Sequence, residues 1–505
     1  MQAGRMSTSK STITTSVLLS SLLAATAIKA QETLESTRST YQLEQKLKYN
    51  GGNIAEADRR RAAALGRNSN AAQSSGTFAG VANAVSFAAT EVSNIPIDNG
   101  FGSYYAHMKV GEQEDDYLMF IDNGSSNTWV NGTKFEPTGD ATDTGNRVSL
   151  NYGIGFFRGE QWNVDVSFAS ETGTLTAQNQ GIGIADAGDG FQDVDGILAL
   201  GPASQTSRTQ MTAGGEILDE VIPTVTDTLF AQGAIPANQY SLALQPITDD
   251  NGGSNVVGAG TLTFGGVNEE EFIGPLNYFQ RETRVLDNGS NLANYWSFSI
   301  DSLTMETIDD DGNSQTEDIT TTQLLDETRY GILDIGATLV GLPIGVFNSY
   351  FELLPGYRVN PNNGLVLVPF DQVPRMGNMT FRIAGDDYVF TPSAQLFPPE
   401  ISTLLLGGLT PEDLGGYLSV FANTGFDTQD SFTLGMYWLE RFYSTYDTTN
   451  NRIGLAYTDY TFQKTTELTS FRKAKRAHRD STKRHDWKDG KARLDSLGAR
   501  SPFNA

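Results

Sequence analysis

Cysteine is absent from all 505 residues, histidine occurs three times, and Lys plus Arg (35) are outnumbered by Asp plus Glu (60). Without cysteine there is no disulfide framework, thiolate zinc site, iron–sulfur cluster or cysteine nucleophile. His478 and His485 lie in a basic C-terminal stretch, which leaves His107, in a strand-like segment and expected to be structural, as the imidazole of the globular part. A multi-histidine metal centre is excluded, and a Ser-His-Asp triad would hang on one residue. Carboxylates are the abundant titratable groups, so acid–base chemistry here is expected to be carboxylate chemistry.

Charge divides the chain. Residues 1–89 hold 10 Lys+Arg and 5 Asp+Glu, residues 464–505 hold 12 and 5, and residues 90–463 hold 13 and 50. So acidic a core repels nucleic acid and suits an acidic medium in which many carboxylates are protonated. Residues 1–30 read as a signal peptide: Arg5 and Lys10 precede the apolar run Ile13–Ile28, with small residues near Ala27 and Ala30. That run is too short and too rich in Ser and Thr to span a bilayer well, and no stable membrane insertion is expected. Residues 31–91 read as a basic pro-segment held partly by charge, in which Arg59, Arg60 and Arg61 form a processing triplet or a solvated basic run. Residues 464–505 read as a basic, disordered tail.

From about Val92 short apolar runs alternate with Gly, Asn, Asp, Ser and Thr. Tyr117–Ile121, Gln161–Phe168 and Ile453–Tyr457 have strand character, and Asn99-Gly100 and Asp311-Gly312 suit hairpin turns. The fold class expected is all-β in two lobes, since residues 90–463 are too many for one compact β domain. Asp186, Asp189, Asp193 and Asp195 read as a solvated loop rather than a metal cluster, and Asp309, Asp310 and Asp311 as a hairpin tip; no metal or other cofactor is expected. Nominal glycosylation sequons stand at Asn123, Asn131, Asn288 and Asn378, the last three in polar, loop-like contexts.

An approximate internal repeat carries the chemistry. Phe120-Ile121-Asp122-Asn123-Gly124-Ser125-Ser126-Asn127-Thr128-Trp129-Val130 is echoed by Ile332-Leu333-Asp334-Ile335-Gly336-Ala337-Thr338-Leu339-Val340. In each, an apolar strand delivers an aspartate to a buried position, and the glycine permits a close turn. Two such lobes related by a pseudo-twofold axis would bring the carboxylates together, where they share a proton; one can take a proton from water while the other protonates a carbonyl oxygen. Aspartic proteases are the standard example of such a dyad.

The sequence resembles the pepsin-like aspartic peptidases, in particular the cysteine-free fungal polyporopepsin-like group. Asp122 to Trp129 matches Asp-Thr-Gly-Ser-Ser-Asn-Thr-Trp at all but one position, and Tyr152-Gly153-Ile154-Gly155 matches the flap motif Tyr-Gly-Ser-Gly. Val194-Asp195-Gly196-Ile197-Leu198 follows, then Trp438 to Asp447 and Asn451 to Ala456, all in family order. The resemblance implies a bilobal pepsin-like fold of two β-barrel-like lobes, residues 92–285 and 286–463, with a cleft between them. It implies a secreted, monomeric aspartic endopeptidase made as a zymogen, cleaving peptide or protein substrates at acidic to mildly acidic pH. Asp122 and Asp334 would be catalytic, with Gly124, Ser125, Trp129, Tyr152, Gly153, Gly336 and Thr338 binding substrate or supporting the dyad. Three positions depart from the family: Asn123 and Ile335 replace the threonines that clasp the loops, and Ala337 replaces a hydroxyl donor to the second carboxylate. The alternative is a catalytically weak or inactive homologue that binds peptide or protein in the same cleft.

Overall fold

The computed structural model describes residues 54–68 and 91–464, except 101, 114, 140, 153–154, 192–193, 248–257, 287–288, 310–317, 362 and 424–430. The signal-peptide stretch, the tail beyond Lys464, Gly153, Ile154, Asp193 and Asn288 lie outside the described residues, as do Asp310 and Asp311.

Strands dominate, as the short alternating apolar runs require. In the strand Phe156–Ser170, buried Val164, Val166 and Phe168 alternate with more exposed neighbours, and the strand pairs along its length with Gly173–Asp189. Asn99-Gly100 opens the expected hairpin: Ser93–Asn99 runs antiparallel to Tyr104–Val110, and the Gly100 N–H donates to the Ser103 carbonyl at 2.9 Å. Asp309 and Asp318 face each other at the ends of another hairpin.

The register shows two lobes of like construction. Tyr117–Asp122 lies antiparallel to Tyr104–Val110 and parallel to Gly196–Ala199, ending with Asp122 opposite Ala199. Trp129–Asn131 then returns antiparallel to Gly196–Ala199 and parallel to Gly173–Asp189. In the second lobe Arg329–Leu333 lies antiparallel to Ser297–Asp309 and parallel to Ser431–Leu434. Val340–Leu342 returns antiparallel to Ser431–Leu434 and parallel to Phe421–Asn423. The same pairing pattern, used twice, carries the two Asp-x-Gly turns to equivalent places. Strands Gln239–Leu244, Phe442–Asp447 and Arg452–Tyr457 extend the first sheet. Their buried Tyr240 and Tyr446 stack at 4.7 Å beneath the turns, beside Trp296.

Several details differ from expectation. Asp186 and Asp189 belong to the long strand Gly173–Asp189, where pairing with Phe156–Ser170 satisfies the backbone; both residues are exposed, and the Asp186 carboxylate pairs with the Arg147 guanidinium. Asp195 accepts from the Leu118 N–H and from Lys134 Nζ, so it fastens a strand start instead of belonging to a solvated loop. Asn378 is half-buried within the strand Met376–Ile383, and its N–H donates to Glu306. Its polar neighbours hid a strand whose inner face is Met379, Phe381 and Ile383.

The largest difference is a helix, Ile54–Asn68, in the basic leader. Its alanines favour helix, and Glu56 pairs with Arg59 and Arg60 at 2.6 and 2.9 Å, the i,i+3 and i,i+4 spacings of one helix face. Ile54, Ala55, Asp58, Arg61 and Ala62 fall on one stripe, and that stripe is turned to the protein. Ile54 and Ala55 join the main hydrophobic core.

Candidate active site

Asp122 and Asp334 are both fully buried and stand on facing turns. Within its own lobe, Asp122 Oδ1 accepts the Gly124 N–H at 2.8 Å and Oδ2 accepts the Ser125 hydroxyl at 2.6 Å. Asp334 Oδ1 accepts the Gly336 N–H at 3.0 Å, and Ala337, placed as Ser125 is, has no hydroxyl to give. The turns nearly touch. A Cβ added to Gly124 would lie 2.6 Å from Asp334 Oδ1, and one added to Gly336 2.7 Å from Asp122 Oδ1, too close for any other residue type without displacement.

Half of the clasp between the turns survives. Asn123 Oδ1 accepts the Ile335 N–H at 2.8 Å across 212 positions of sequence, and its Nδ2 lies near the Tyr240 and Tyr446 hydroxyls without a hydrogen bond to either. Ile335 returns no polar bond from its side chain, which is wholly buried among apolar neighbours.

Tyr152 stands over the first turn. Its hydroxyl accepts from Trp129 Nε1 at 3.0 Å and lies beside Ser125, which makes a line from Trp129 through Tyr152 and Ser125 to Asp122. Burial, reinforced by the Asp122 charge, pushes the Tyr152 phenol well above its usual range, so it stays protonated. Trp129 stacks on Phe157 at 4.9 Å with Phe191 on its edge, giving the cleft an apolar wall. Thr338 bonds the Gly102 carbonyl at 3.0 Å through its hydroxyl, tying the second turn to the first lobe. His107 lies apart, exposed and 3.2 Å from Asp98.

The site also holds a residue that sequence reasoning missed. Arg61, only 5% exposed, enters from the leader helix and bridges the two carboxylates. Its Nε donates to Asp334 Oδ2 at 2.7 Å, and Nη2 donates to Asp334 Oδ1 at 2.9 Å and to Asp122 Oδ1. The solvated-run expectation for this arginine is therefore corrected: it is buried between like charges that need a cation. Both carboxylates raise its proton affinity against the opposing effect of burial, so it is permanently charged. Burial pushes Asp334 upward, while Arg61 pulls the other way. Three residues earlier, Asp58 accepts the Thr338 and Leu339 N–H groups at 3.2 and 2.6 Å. The available signal was the spacing Ile54, Asp58, Arg61 on one side of an alanine-rich segment. Among the described residues no cluster of three or more His, Asp or Glu is placed to hold a metal.

Two facing Asp-x-Gly turns, a tyrosine bonded to a tryptophan above them, and duplicated strand pairing define a pepsin-like aspartic protease. Residues 103–458 match the family model of the eukaryotic aspartyl proteases, and the chain belongs to that family. It is 32% identical to polyporopepsin of Irpex lacteus over 370 residues, 73% of this chain and 98% of that protein. It is 27% identical to rat (Rattus norvegicus) cathepsin E over 70% of this chain and 79% of that one. The crystal structure of the Irpex lacteus aspartic proteinase superposes with a TM-score of 0.63 at 30% identity, covering 74% of this chain and all of that one.

Proposed function

We propose that this chain is a secreted aspartic endopeptidase, made as a zymogen whose basic leader is removed before it cleaves peptide bonds through Asp122 and Asp334. The observation that carries the proposal is the Arg61 guanidinium bridging both carboxylates. A buried cation held there offsets one of the two negative charges and fills the space where a water would be activated.

Once Arg61 leaves, the facing carboxylates cannot both ionise easily, and they hold one proton between them. Asp122, with two donors from its own turn, is the better home for the negative charge. Asp334, with one, is the better home for the proton. The ionised carboxylate takes a proton from water as the water oxygen attacks the scissile carbonyl carbon, and the protonated one gives its proton to the carbonyl oxygen. The tetrahedral diol then collapses, a proton passes to the departing amine, and the peptide bond breaks. The Trp129–Tyr152–Ser125 line supports the Asp122 side and shapes the cleft. Residues 92–285 and 286–463 are the proposed lobes, and residues 1–30 and 31–91 the removed signal and pro-segment.

A cleft that only binds peptide is the rival, favoured by one observation: Asp334 lacks a hydroxyl donor at Ala337. Digestion of casein between pH 3 and 6 by acid-treated protein, with and without pepstatin, separates the two. Pepstatin-sensitive digestion that is lost in Asp122→Asn and in Asp334→Asn, with the fold retained, is the expected outcome. Retained turnover in either pure variant contradicts the mechanism, and pepstatin binding without digestion supports the rival.

A further inference from the structure

The leader helix makes two polar contacts in the cleft, and they differ in kind. Arg61 is a cation between two anions. Asp58 is an anion whose hydrogen bonds come only from two neutral backbone N–H groups, those of Thr338 and Leu339. The residue is half-buried as a whole, and its carboxyl end is turned inward against the second turn. The charged groups facing it are Arg61 and Arg59 on its own helix and Asp334 on the turn; Asp122 lies beyond Arg61. Arg61 is committed to the dyad and Arg59 to Glu56. The strands Phe421–Asn423 and Ser431–Leu434 present Asn423 and Thr433, which do not titrate.

An anion taken from water into such a place, with no ion pair of its own, is costly unless it takes up a proton. Resting on the zymogen assignment above, we propose that Asp58 is a second anchor of the leader helix that grips more firmly as the medium acidifies from neutral, deferring release until Asp122 and Asp334 themselves take up protons. Consistent with this, burial pushes the Asp58 carboxyl up to about 7, although both N–H bonds and Arg61 favour its charged form. The sign follows from linkage: the docked helix holds a proton that the free helix has lost between roughly pH 4 and 7, so docking strengthens as pH falls through that window. Arg61 has the opposite dependence, because protonating the dyad removes its partners. The leader then withstands a mildly acidic compartment and yields only to stronger acid.

Hydrogen–deuterium exchange on the full-length chain, read by mass spectrometry over residues 54–68 and corrected for intrinsic rates, tests this between pH 7.5 and 5. The protection factor is expected to rise as pH falls from 7 to 5, by up to about tenfold per unit. Asp58→Asn, which cannot titrate but keeps an acceptor, should flatten the profile, as should Asp58→Ser if the first variant folds poorly. A wild-type profile that is flat or falls with acid overturns the proposal, and so does an unchanged slope in the variants. A helix that tightens as expected in a chain digesting no casein at any pH keeps the Asp58 anchor and overturns the peptidase instead.

Discussion

Within their own turns Asp122 and Asp334 differ by one hydrogen-bond donor, and in the proposed mechanism that difference sets how they divide a proton once Arg61 has left. Ser125 gives Asp122 a hydroxyl at 2.6 Å, whereas the equivalent place beside Asp334 is Ala337. Donors to a carboxylate favour its charged form, so Ala337→Thr should lower the pair's first apparent pKa and move the acid limb of the pH–rate profile down by about one unit. Profiles of the wild type and variant on one quenched peptide check this, and coincident acid limbs would contradict it. Ile335→Thr should act chiefly on turnover by completing the clasp that Asn123 now makes alone. The two aspartates were legible in the sequence because Asp-x-Gly recurs after apolar strands. The surviving half-clasp was not, because an asparagine's partner 212 positions away is set only when the turns face each other.

At the scale of elements, the duplicated strand pairing was legible in outline. The apolar runs at Tyr117–Ile121, Gln161–Phe168 and Ile453–Tyr457 fall inside the strands Tyr117–Asp122, Phe156–Ser170 and Arg452–Tyr457, but no local pattern states how far each strand extends or which strands run parallel. The leader helix went unread because a 15-residue alanine- and arginine-rich segment is marginal alone and takes its meaning from the groove it fills. Three consecutive arginines look alike in sequence; in the helix, Arg60 is exposed while Arg61 is buried. Ala62, 3% exposed, faces Ala337 and Leu339 across a crevice with room for about one water. Ala62→Leu should overfill that contact at a cost of about 1–3 kcal/mol and speed acid conversion several-fold. Conversion followed by gel mobility after a pH jump measures it, and a rate equal to the wild type would mean that this face of the helix is not tightly seated.

Across the whole molecule, buried polar groups join the first hairpin to the C-terminal strands. Glu440 accepts from Asn99 Nδ2 and from the Tyr104 hydroxyl at 3.0 Å each, and burial pushes it up to about 7 against the pull of Arg441. The folded state therefore retains a proton that the unfolded chain loses near its usual value of 4.5, and stability falls as pH rises from about 4.5 to 7. For this group alone the loss is about 3 kcal/mol. Glu440→Gln should flatten the Tm-against-pH curve between pH 5 and 7.5; curves of equal slope would show that the proton is not held there. The 50 carboxylates of residues 90–463 act in the same direction by mutual repulsion, which weakens as they take up protons. We propose that Arg61 holds a competent dyad silent. The most direct test of this claim is turnover of a quenched peptide at pH 5 by unprocessed full-length protein, wild type against Arg61→Glu, with mass spectrometry confirming that residues 31–91 remain attached. A third carboxylate beside the dyad should expel the helix, so the wild type is expected to be silent and the variant active; an active unprocessed wild type, or a variant that folds, binds pepstatin and cleaves nothing, would contradict the claim.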